Sequence, residues 1–144
     1  IEQLFQEIMP LYLQMAELKK TNIIQQNKLD KNTFVSNKNY ISIVLRNLLD
    51  NAIKNATPDT LINIQTSLSS AFFTFSIQNF SAITSTQFDI IQSFFANNKN
   101  NLSHENGLGI GMLLIKEFLQ KMNGTILLNH VQNKIEFKIQ IPIV

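Results

Sequence analysis

The distribution of glycine is the feature that most restricts how this chain can fold. Its four glycines are Gly107, Gly109, Gly111 and Gly124, and three of them alternate within the stretch ENGLGIGMLLIKEF at 105–118. Glycine destabilises ordinary helices and strands, so a cluster marks backbone that bends tightly or approaches a ligand closely. We therefore expect an unusual backbone path where this stretch enters an amphipathic helix.

Two interpretations of the alternating glycines stay open at this point. They form either a tight loop that leads into a packed helix or a cradle for phosphate. The second interpretation is physically reasonable because backbone N–H groups at a helix N-terminus attract anions and glycines let the ligand come close. The pattern is neither G-x-x-x-x-G-K-S/T nor G-x-G-x-x-G after a strand, so it is not a P-loop or a dinucleotide fingerprint.

The composition is that of one globular domain. A length of 144 residues, with 44% hydrophobic and 15% charged residues, allows a single core. A net charge of +2 with scattered lysines argues against nucleic acid as a partner, and the absence of cysteine excludes disulfides and thiolate metal sites. No apolar run reaches the roughly 18 residues of a membrane span. Because the chain begins with Ile1, we expect a fragment of a longer protein, without a membrane segment.

Hydrophobic periodicity predicts helices and strand pairs that alternate in blocks. Because proline suits the first turn of a helix, we predict a helix from about Pro10 to Lys20, with 1–9 as the end of an upstream helix or a linker and 10–144 as the domain. The other predicted elements are helices at 37–56 (capped by Ser36 or Asn37), 87–95 and 110–122, strands at 22–29, 61–67, 72–78, 125–130 and 135–141, and an extended pair, Phe34 and Val35. This order predicts an α+β two-layer sandwich, with a mixed, mostly antiparallel sheet covered on one face by about three helices.

The second predicted helix carries a polar face whose side chains are candidates for binding a ligand. Within RNLLDNAIKNA at 46–56, the leucines, alanines and isoleucine share one arc and the polar residues share the opposite arc. Such a face is usually only solvated. However, asparagine is a poor helix former, while its amide oxygen ligates hard cations and a lysine one turn on binds phosphate. Asn47, Asn51 and Lys54 are therefore candidates for binding a Mg²⁺-polyphosphate.

The order of these features resembles the catalytic ATP-binding domain of sensor histidine kinases, in the superfamily that includes gyrase, Hsp90 and MutL. RNLLDNAIKNA is similar to the N box of that family, and GLGIGMLLIKEFLQKMNGTI is similar to its second glycine box, helix and following strand. IIQSFF at 90–95 is similar to the phenylalanine box that precedes the nucleotide lid. The resemblance spans nearly the whole chain and implies a Bergerat-type fold that binds ATP and Mg²⁺.

The resemblance also implies roles for individual residues. Asn51 corresponds to the Mg²⁺ ligand, with Asn47 facing the phosphates one turn earlier, Lys54 contacting them and Asn55 near the nucleotide. In the second glycine box, Gly107, Gly109 and Gly111 would wrap the phosphates, with Leu108 in the turn from lid to helix. The polar loop 96–106 would be the lid over ATP, and no residue of the chain is assigned a covalent catalytic role.

The first glycine box of the family, D-x-G-x-G, is altered in this chain to NFSAI at 79–83. Asn79 replaces the aspartate that accepts a hydrogen bond from the adenine amino group, and its amide oxygen can still accept one. Ser81 and Ile83 replace both glycines. Because a β-branched residue resists positive φ, we expect the loop to follow another path at Ile83.

The resemblance and these departures lead to two functional interpretations. The first is a histidine kinase domain that presents Mg²⁺-ATP to a histidine on a separate dimerisation domain, with a response regulator as an indirect partner. The second is a degenerate signalling or assembly module with weak or no ATP binding. Hydrolysis is disfavoured, because Asn47 stands where ATP-hydrolysing relatives carry a glutamate base. We expect a cytoplasmic domain, and the sequence leaves open whether the parent chain is membrane-anchored. His104 and His130 are expected to be incidental surface residues.

Overall fold

The computed structural model of the chain describes residues 1–29, 36–96 and 109–143. Its elements, in chain order, are α1 (Glu2–Leu18), β1 (Asn22–Lys28), α2 (Lys38–Asn55), β2 (Leu61–Leu68), β3 (Phe72–Phe80), α3 (Ser85–Ala96), α4 (Gly109–Lys121), β4 (Thr125–Val131) and β5 (Lys134–Pro142). The predicted extended pair Phe34–Val35, His104, Gly107, Leu108 and the predicted lid beyond Ala96 lie outside the described residues.

The five strands form one sheet in the order β1-β2-β3-β5-β4. β1 runs parallel to β2, and the other neighbours pair antiparallel. Apolar side chains alternate along the three central strands, so that one face of the sheet is dry. The fully buried members of that face are Ile62, Ile64, Phe73, Phe75, Ile77, Phe137, Ile139 and Ile141. The helices pack on this face, which confirms the predicted α+β sandwich with a mixed, mostly antiparallel sheet.

The predicted start of the first helix near Pro10 was wrong. α1 begins at Glu2 and contains Pro10 in its middle, with the proline ring exposed. Four apolar residues before the proline are buried against the core, namely Leu4, Phe5, Ile8 and Met9. Burying each such side chain contributes about 1.5–3 kcal/mol, which together exceeds the roughly 3 kcal/mol cost of an internal proline. The division of the chain at residue 10 stays a prediction.

The N-terminus of α2 is fixed by a side-chain cap. Oδ1 of Asn37 accepts hydrogen bonds from the backbone nitrogens of Asn39 (3.0 Å) and Tyr40 (3.1 Å). These bonds satisfy two of the four N–H groups that a helix start leaves without partners. The predicted cap at Ser36 or Asn37 is therefore made by Asn37, and α2 begins one residue later.

Several turns of this glycine-poor chain are made by residues other than glycine. Among the described residues, five non-glycine residues have positive φ: Lys20, Asp59, Asn123, Gln132 and Asn133. Gln132 and Asn133 (φ 52° and 64°) form the two-residue turn of the β4–β5 hairpin, where a type I′ geometry requires positive φ twice. The predicted closing hairpin around these two residues is confirmed.

His130 is not the surface residue that the sequence suggested. It pairs with Ile135 of β5, so its side chain lies on the helix-facing side of the sheet. There its ring lies 5.2 Å from the ring of Phe88 in α3, measured between centroids. Strand alternation accounts for the difference, because the next inward position after Leu128 is His130.

Candidate functional site

A cavity of about 510 Å³ opens between the C-terminal half of α2, the end of β3, and helices α3 and α4. Its described lining divides into a polar set and an apolar set. The polar set is Asn51, Lys54, Asn55, Asn79, Ser81 and Gln87, and the apolar set is Ala82, Ile83, Ile90, Ile91, Met112, Ile135 and Phe137. Six of the site residues predicted from the sequence thus meet at one cavity: Asn51, Lys54, Asn55, Asn79, Ser81 and Ile83.

The polar end of the cavity is formed by the last turns of α2. The amide nitrogen of Asn55 donates to the side-chain oxygen of Asn51 (2.8 Å) and to its backbone oxygen (2.9 Å). Lys54 is exposed at the rim, and its backbone carbonyl accepts a hydrogen bond from Nζ of Lys19 (3.0 Å). Among the described lining residues, Lys54 is the only charged one. An anionic group in the cavity would therefore be attracted to this end.

Asn79 lies deep in the cavity wall, with 2% of its surface exposed. Its amide nitrogen donates to the carbonyl of Phe80 (3.2 Å), which leaves the amide oxygen Oδ1 as the acceptor. The strand is two residues longer than predicted, so Asn79 sits inside β3, paired with Ile62 and Ile135, rather than in a loop. A buried acceptor in this position favours a ligand that brings an N–H group.

The segment after β3 follows a path that needs no glycine. The backbone nitrogen of Ser81 donates to the carbonyl of Asn133 (2.8 Å), and Ser81 is itself buried. Neither Ser81 nor Ile83 is among the described residues with positive φ. Ile83 is half-buried and lines the cavity without filling it. This agrees with the expectation that the chain takes another path at Ile83.

Apart from Ile83, the apolar wall was not predicted from the sequence. Ile90 and Ile91 come from α3, Met112 from α4, and Ile135 and Phe137 from β5. Ile90 and Ile91 open the stretch IIQSFF, so the phenylalanine box contained a signal for two of these residues. The others depend on which strand and helix become neighbours, which no local pattern encodes.

Asn47 and Gly111 lie close to each other, and neither is among the described residues that line the cavity. The amide nitrogen of Asn47 donates to the carbonyl of Ile43 (2.7 Å). A Cβ atom placed on Gly111 would lie 3.0 Å from Oδ1 of Asn47, closer than ordinary van der Waals contact. Gly111 therefore allows α4 to approach α2 closely. Neither residue belongs to the described cavity lining, and their proposed contact with phosphates stays a prediction.

Gly109 provides the left-handed backbone conformation at the start of α4. Its φ of 72° lies in the left-handed region, which L-residues other than glycine adopt only at a cost. A Cβ atom there would meet nothing within 4 Å, so backbone conformation and not space requires glycine. Gly109 is also absent from the described lining of the cavity, and its proposed contact with phosphates is likewise a prediction.

The described lining of the cavity offers few groups for proton transfer. No Asp, Glu or His is present among the described lining residues. No cluster of three or more such residues or cysteines lies close enough to hold a metal ion anywhere in the described part of the chain. A cation in the cavity would depend on amide oxygens and on oxygens of the ligand itself. Within the described residues, no helix has the length and apolar character needed to cross a membrane.

The fold is an α+β sandwich with a cavity between its helices and its sheet, and comparison with known families assigns it to a class. Residues 36–142 match the family described as the GHKL domain. This match covers most of the chain, so the chain belongs to the GHKL family. No curated protein matches the chain.

Solved structures of histidine kinases share the fold. The nucleotide-free catalytic domain of ThkA superposes with a TM-score of 0.78 at 17% identity, covering 98% of this chain and 90% of that chain. For AdeS of Acinetobacter baumannii the TM-score is 0.73 at 17% identity, covering 99% and 64%. Full-length ShkA in complex with AMPPNP gives 0.76 at 17% identity, covering 99% and 30%. The chain thus has the fold of histidine kinase catalytic domains and spans less than two thirds of the AdeS chain.

Proposed function

We propose that this chain is the ATP-binding catalytic domain of a two-component sensor histidine kinase. The observation that carries the proposal is the single cavity at which Asn51, Lys54 and Asn79 meet an apolar wall, in a chain of the GHKL family. A volume of about 510 Å³ is within the range of small-molecule sites. The domain would present Mg²⁺-ATP to a histidine on a separate dimerisation domain of the same kinase.

In this proposal the adenine occupies the deep, apolar end. The amide oxygen of Asn79 accepts a hydrogen bond from the exocyclic amino group, while Ile90 and Ile91 face the flat surface of the base. An apolar wall with one buried acceptor is the usual composition of such a site, because the wall supplies affinity and the acceptor supplies orientation. Ser81 and Ile83 border the same end.

The phosphates would extend toward the end of α2. Lys54 would contact them as a point charge, and Oδ1 of Asn51 would hold Mg²⁺. The residues fit this ion, because Mg²⁺ prefers oxygen ligands and usually takes only one or two from the protein. When bound, Mg²⁺ supplies charge neutralisation on the phosphate oxygens. The resemblance to histidine kinases assigns Gly107, Gly109 and Gly111, with the neighbouring Leu108, to binding of the phosphates.

The chemistry of the chain itself would be positioning. The described lining contains no carboxylate or imidazole that could activate water, which supports transfer over hydrolysis. The incoming imidazole nitrogen is the nucleophile, and the phosphoryl group then passes to a response regulator. We place the domain in the cytoplasm, where ATP is available.

A non-catalytic module is the second candidate. It is favoured by the loss of the aspartate at Asn79 and of both glycines at Ser81 and Ile83. It predicts no useful nucleotide affinity. The cavity itself supports the kinase proposal, because Ile83 borders the space without filling it.

Titration of the chain with ATP, with and without Mg²⁺, tests the proposal. We expect saturable binding below millimolar nucleotide and no autophosphorylation by the chain alone. Asn51→Ala should weaken binding at least about tenfold when Mg²⁺ is present and have little effect in EDTA.

The matched control is Asn129→Ala, which removes an exposed asparagine from β4. It should leave both affinities unchanged. Absence of saturable binding at millimolar ATP would favour the non-catalytic module, and steady phosphate release by the chain alone would favour a hydrolase.

A further inference from the structure

α3 is the wall of the cavity that is least embedded in the core. Ile91 is the only buried residue of this helix, whereas six or seven residues are buried in α1 and α2 and four in α4. Ile90 and Ile91 nevertheless line the cavity. The few contacts that hold α3 therefore set the position of one side of the site.

The first turn of α3 is held by its own side chains and by β4. The backbone nitrogen of Gln87 donates to Oγ1 of Thr84 (3.1 Å), and the side chain of Gln87 accepts from the backbone nitrogen of Thr84 (2.9 Å). This is a reciprocal capping box. One residue later, the ring of Phe88 packs on His130. These contacts fix the start of the helix without help from α4.

The other end of α3 is held by a buried lysine. Lys116 of α4 is 3% exposed, and its Nζ donates to the carbonyl of Phe94 at 2.8 Å. That carbonyl is one of the last four of α3, which have no partner within the helix. The ammonium also lies 4.7 Å from the centroid of the Phe94 ring. A charge-assisted hydrogen bond at a helix C-terminus is favoured by the helix dipole.

Lys116 connects this end of α3 to the cavity. It lies one helical turn after Met112, so the two side chains share a face of α4. Met112 lines the cavity from α4, as Ile90 and Ile91 do from α3. The bond from Lys116 to Phe94 thus joins the two helices whose apolar side chains face the ligand.

We propose that Lys116 is a positioning residue for the nucleotide, because it holds the C-terminal half of α3 against α4 and thereby sets the cavity width at Ile90 and Ile91. The identity of the ligand rests on the proposed function. Lys116 does not line the cavity itself, so it acts on binding through α3. Burying a lysine is costly, and a lysine that only filled space would be replaced at no loss by an apolar side chain of similar length.

Lys116→Met tests this directly, because methionine keeps the apolar stem and removes the donor and the charge. We expect the amides of 91–96 to exchange with deuterium at least about tenfold faster, while those of 85–88 and of β3 keep their rates. A lysine with only a general stabilising role would instead change exchange throughout the core. Equal exchange of 91–96 in the variant and the wild type would overturn the proposal.

Ligand binding gives the second readout. Lys116→Met should raise the Kd for adenosine and for ATP by a similar factor, about threefold to tenfold, because the altered wall faces the base. An unchanged Kd for adenosine would overturn the role in ligand positioning. If the wild type binds no nucleotide, the proposed function fails, whereas the exchange experiment still decides whether Lys116 holds α3.

The matched control is Lys121→Met, which removes an exposed lysine from the same helix. It should change neither exchange nor binding. If Lys116→Met does not fold, Lys116→Gln takes its place, because its amide nitrogen is one bond nearer the backbone and remains polar. The same selective loss of protection in 91–96 is then expected, and exchange of 91–96 at the wild-type rate would refute the proposal.

Discussion

The side-chain nitrogen of Asn55 donates a 2.8 Å hydrogen bond to Oδ1 of Asn51, one helical turn earlier in α2. An amide oxygen has two lone pairs, so Oδ1 can accept this bond and still face a cation. The bond also decides which end of the Asn51 amide is oxygen. Groups that orient a metal ligand in this way tune affinity for the ion without touching it.

Asn55→Ala is therefore expected to weaken the Mg²⁺-dependent part of ATP affinity, by about threefold to tenfold because the pair is partly exposed to water. The measurement is ATP titration at several Mg²⁺ concentrations. ATP affinity in EDTA should stay the same. An equal loss with and without Mg²⁺ would show that Asn55 contacts the nucleotide rather than orienting Asn51.

Asn79 is expected to determine the preference for adenine over guanine. In the proposed complex its oxygen would accept from the amino group of adenine, whereas guanine presents an acceptor at the corresponding position. Asn79→Leu keeps the branched shape and the number of side-chain heavy atoms but has no polar atoms, so the ratio of ATP to GTP affinity should fall about tenfold. The carbonyl of Phe80 keeps a donor in this variant, the backbone nitrogen of Thr57 at 2.9 Å. Isothermal titration with both nucleotides gives the ratio, and an unchanged preference would place the base elsewhere.

The close approach of α4 to α2 predicts a coupling between Gly111 and Asn47. Gly111→Ala alone should be neutral or destabilising, because the added methyl group meets Oδ1 of Asn47 at 3.0 Å. In the background of Asn47→Ala that atom is gone, and Gly111→Ala should stabilise the helix by up to about 1 kcal/mol. Urea unfolding of the four proteins measures the coupling. Additive effects would contradict the close approach of Gly111 to Asn47.

The buried Lys116 predicts a dependence of stability on pH. Burial lowers the pKa of Lys116 from its ordinary value of 10.5. As the pH rises toward that value, the folded protein releases the proton before the unfolded chain does. The penalty of the buried charge therefore disappears, and the free energy of unfolding should rise by at most about 1.4 kcal/mol per pH unit.

The difference in unfolding free energy between the wild type and Lys116→Met isolates this effect. It should increase with pH in the alkaline range just below the ordinary lysine pKa. Burial, followed by the charge of Asp50, raises the pKa of Tyr12, which lowers stability as the pH rises above the ordinary tyrosine value of 10.0. Tyr12 is present in both proteins, so its contribution cancels. A difference independent of pH would mean that folding does not shift the pKa of Lys116.

Local sequence patterns were sufficient to predict the elements that show clear periodicity, a capping residue or a turn signal. The helix ending in RNLLDNAIKNA, its cap at Asn37 and the hairpin at Gln132 and Asn133 were all predicted within a residue or two. Pro10 misled the prediction, because the local cost of proline is visible in the sequence and the compensating burial of Phe5 and Ile8 is not.

The candidate site divides in the same way. Residues in recognisable boxes, such as Asn51 and Lys54, were predicted and do meet at the cavity. Met112 and Phe137 were not, because their place in the wall depends on how α4 and β5 pack. The contact of Asn47 with Gly111 also required the crossing of two helices, which sequence spacing alone does not define.

The turns made without glycine have a consequence for engineering. The backbone nitrogen of Asp59 donates to the carbonyl of Lys20 at 2.8 Å, so two residues in left-handed conformations face each other between the ends of α1 and α2. A left-handed lysine costs roughly 1–2 kcal/mol relative to glycine. Neither residue lines the cavity. Replacing Lys20 with glycine should therefore raise the thermal stability of the chain without altering ligand recognition.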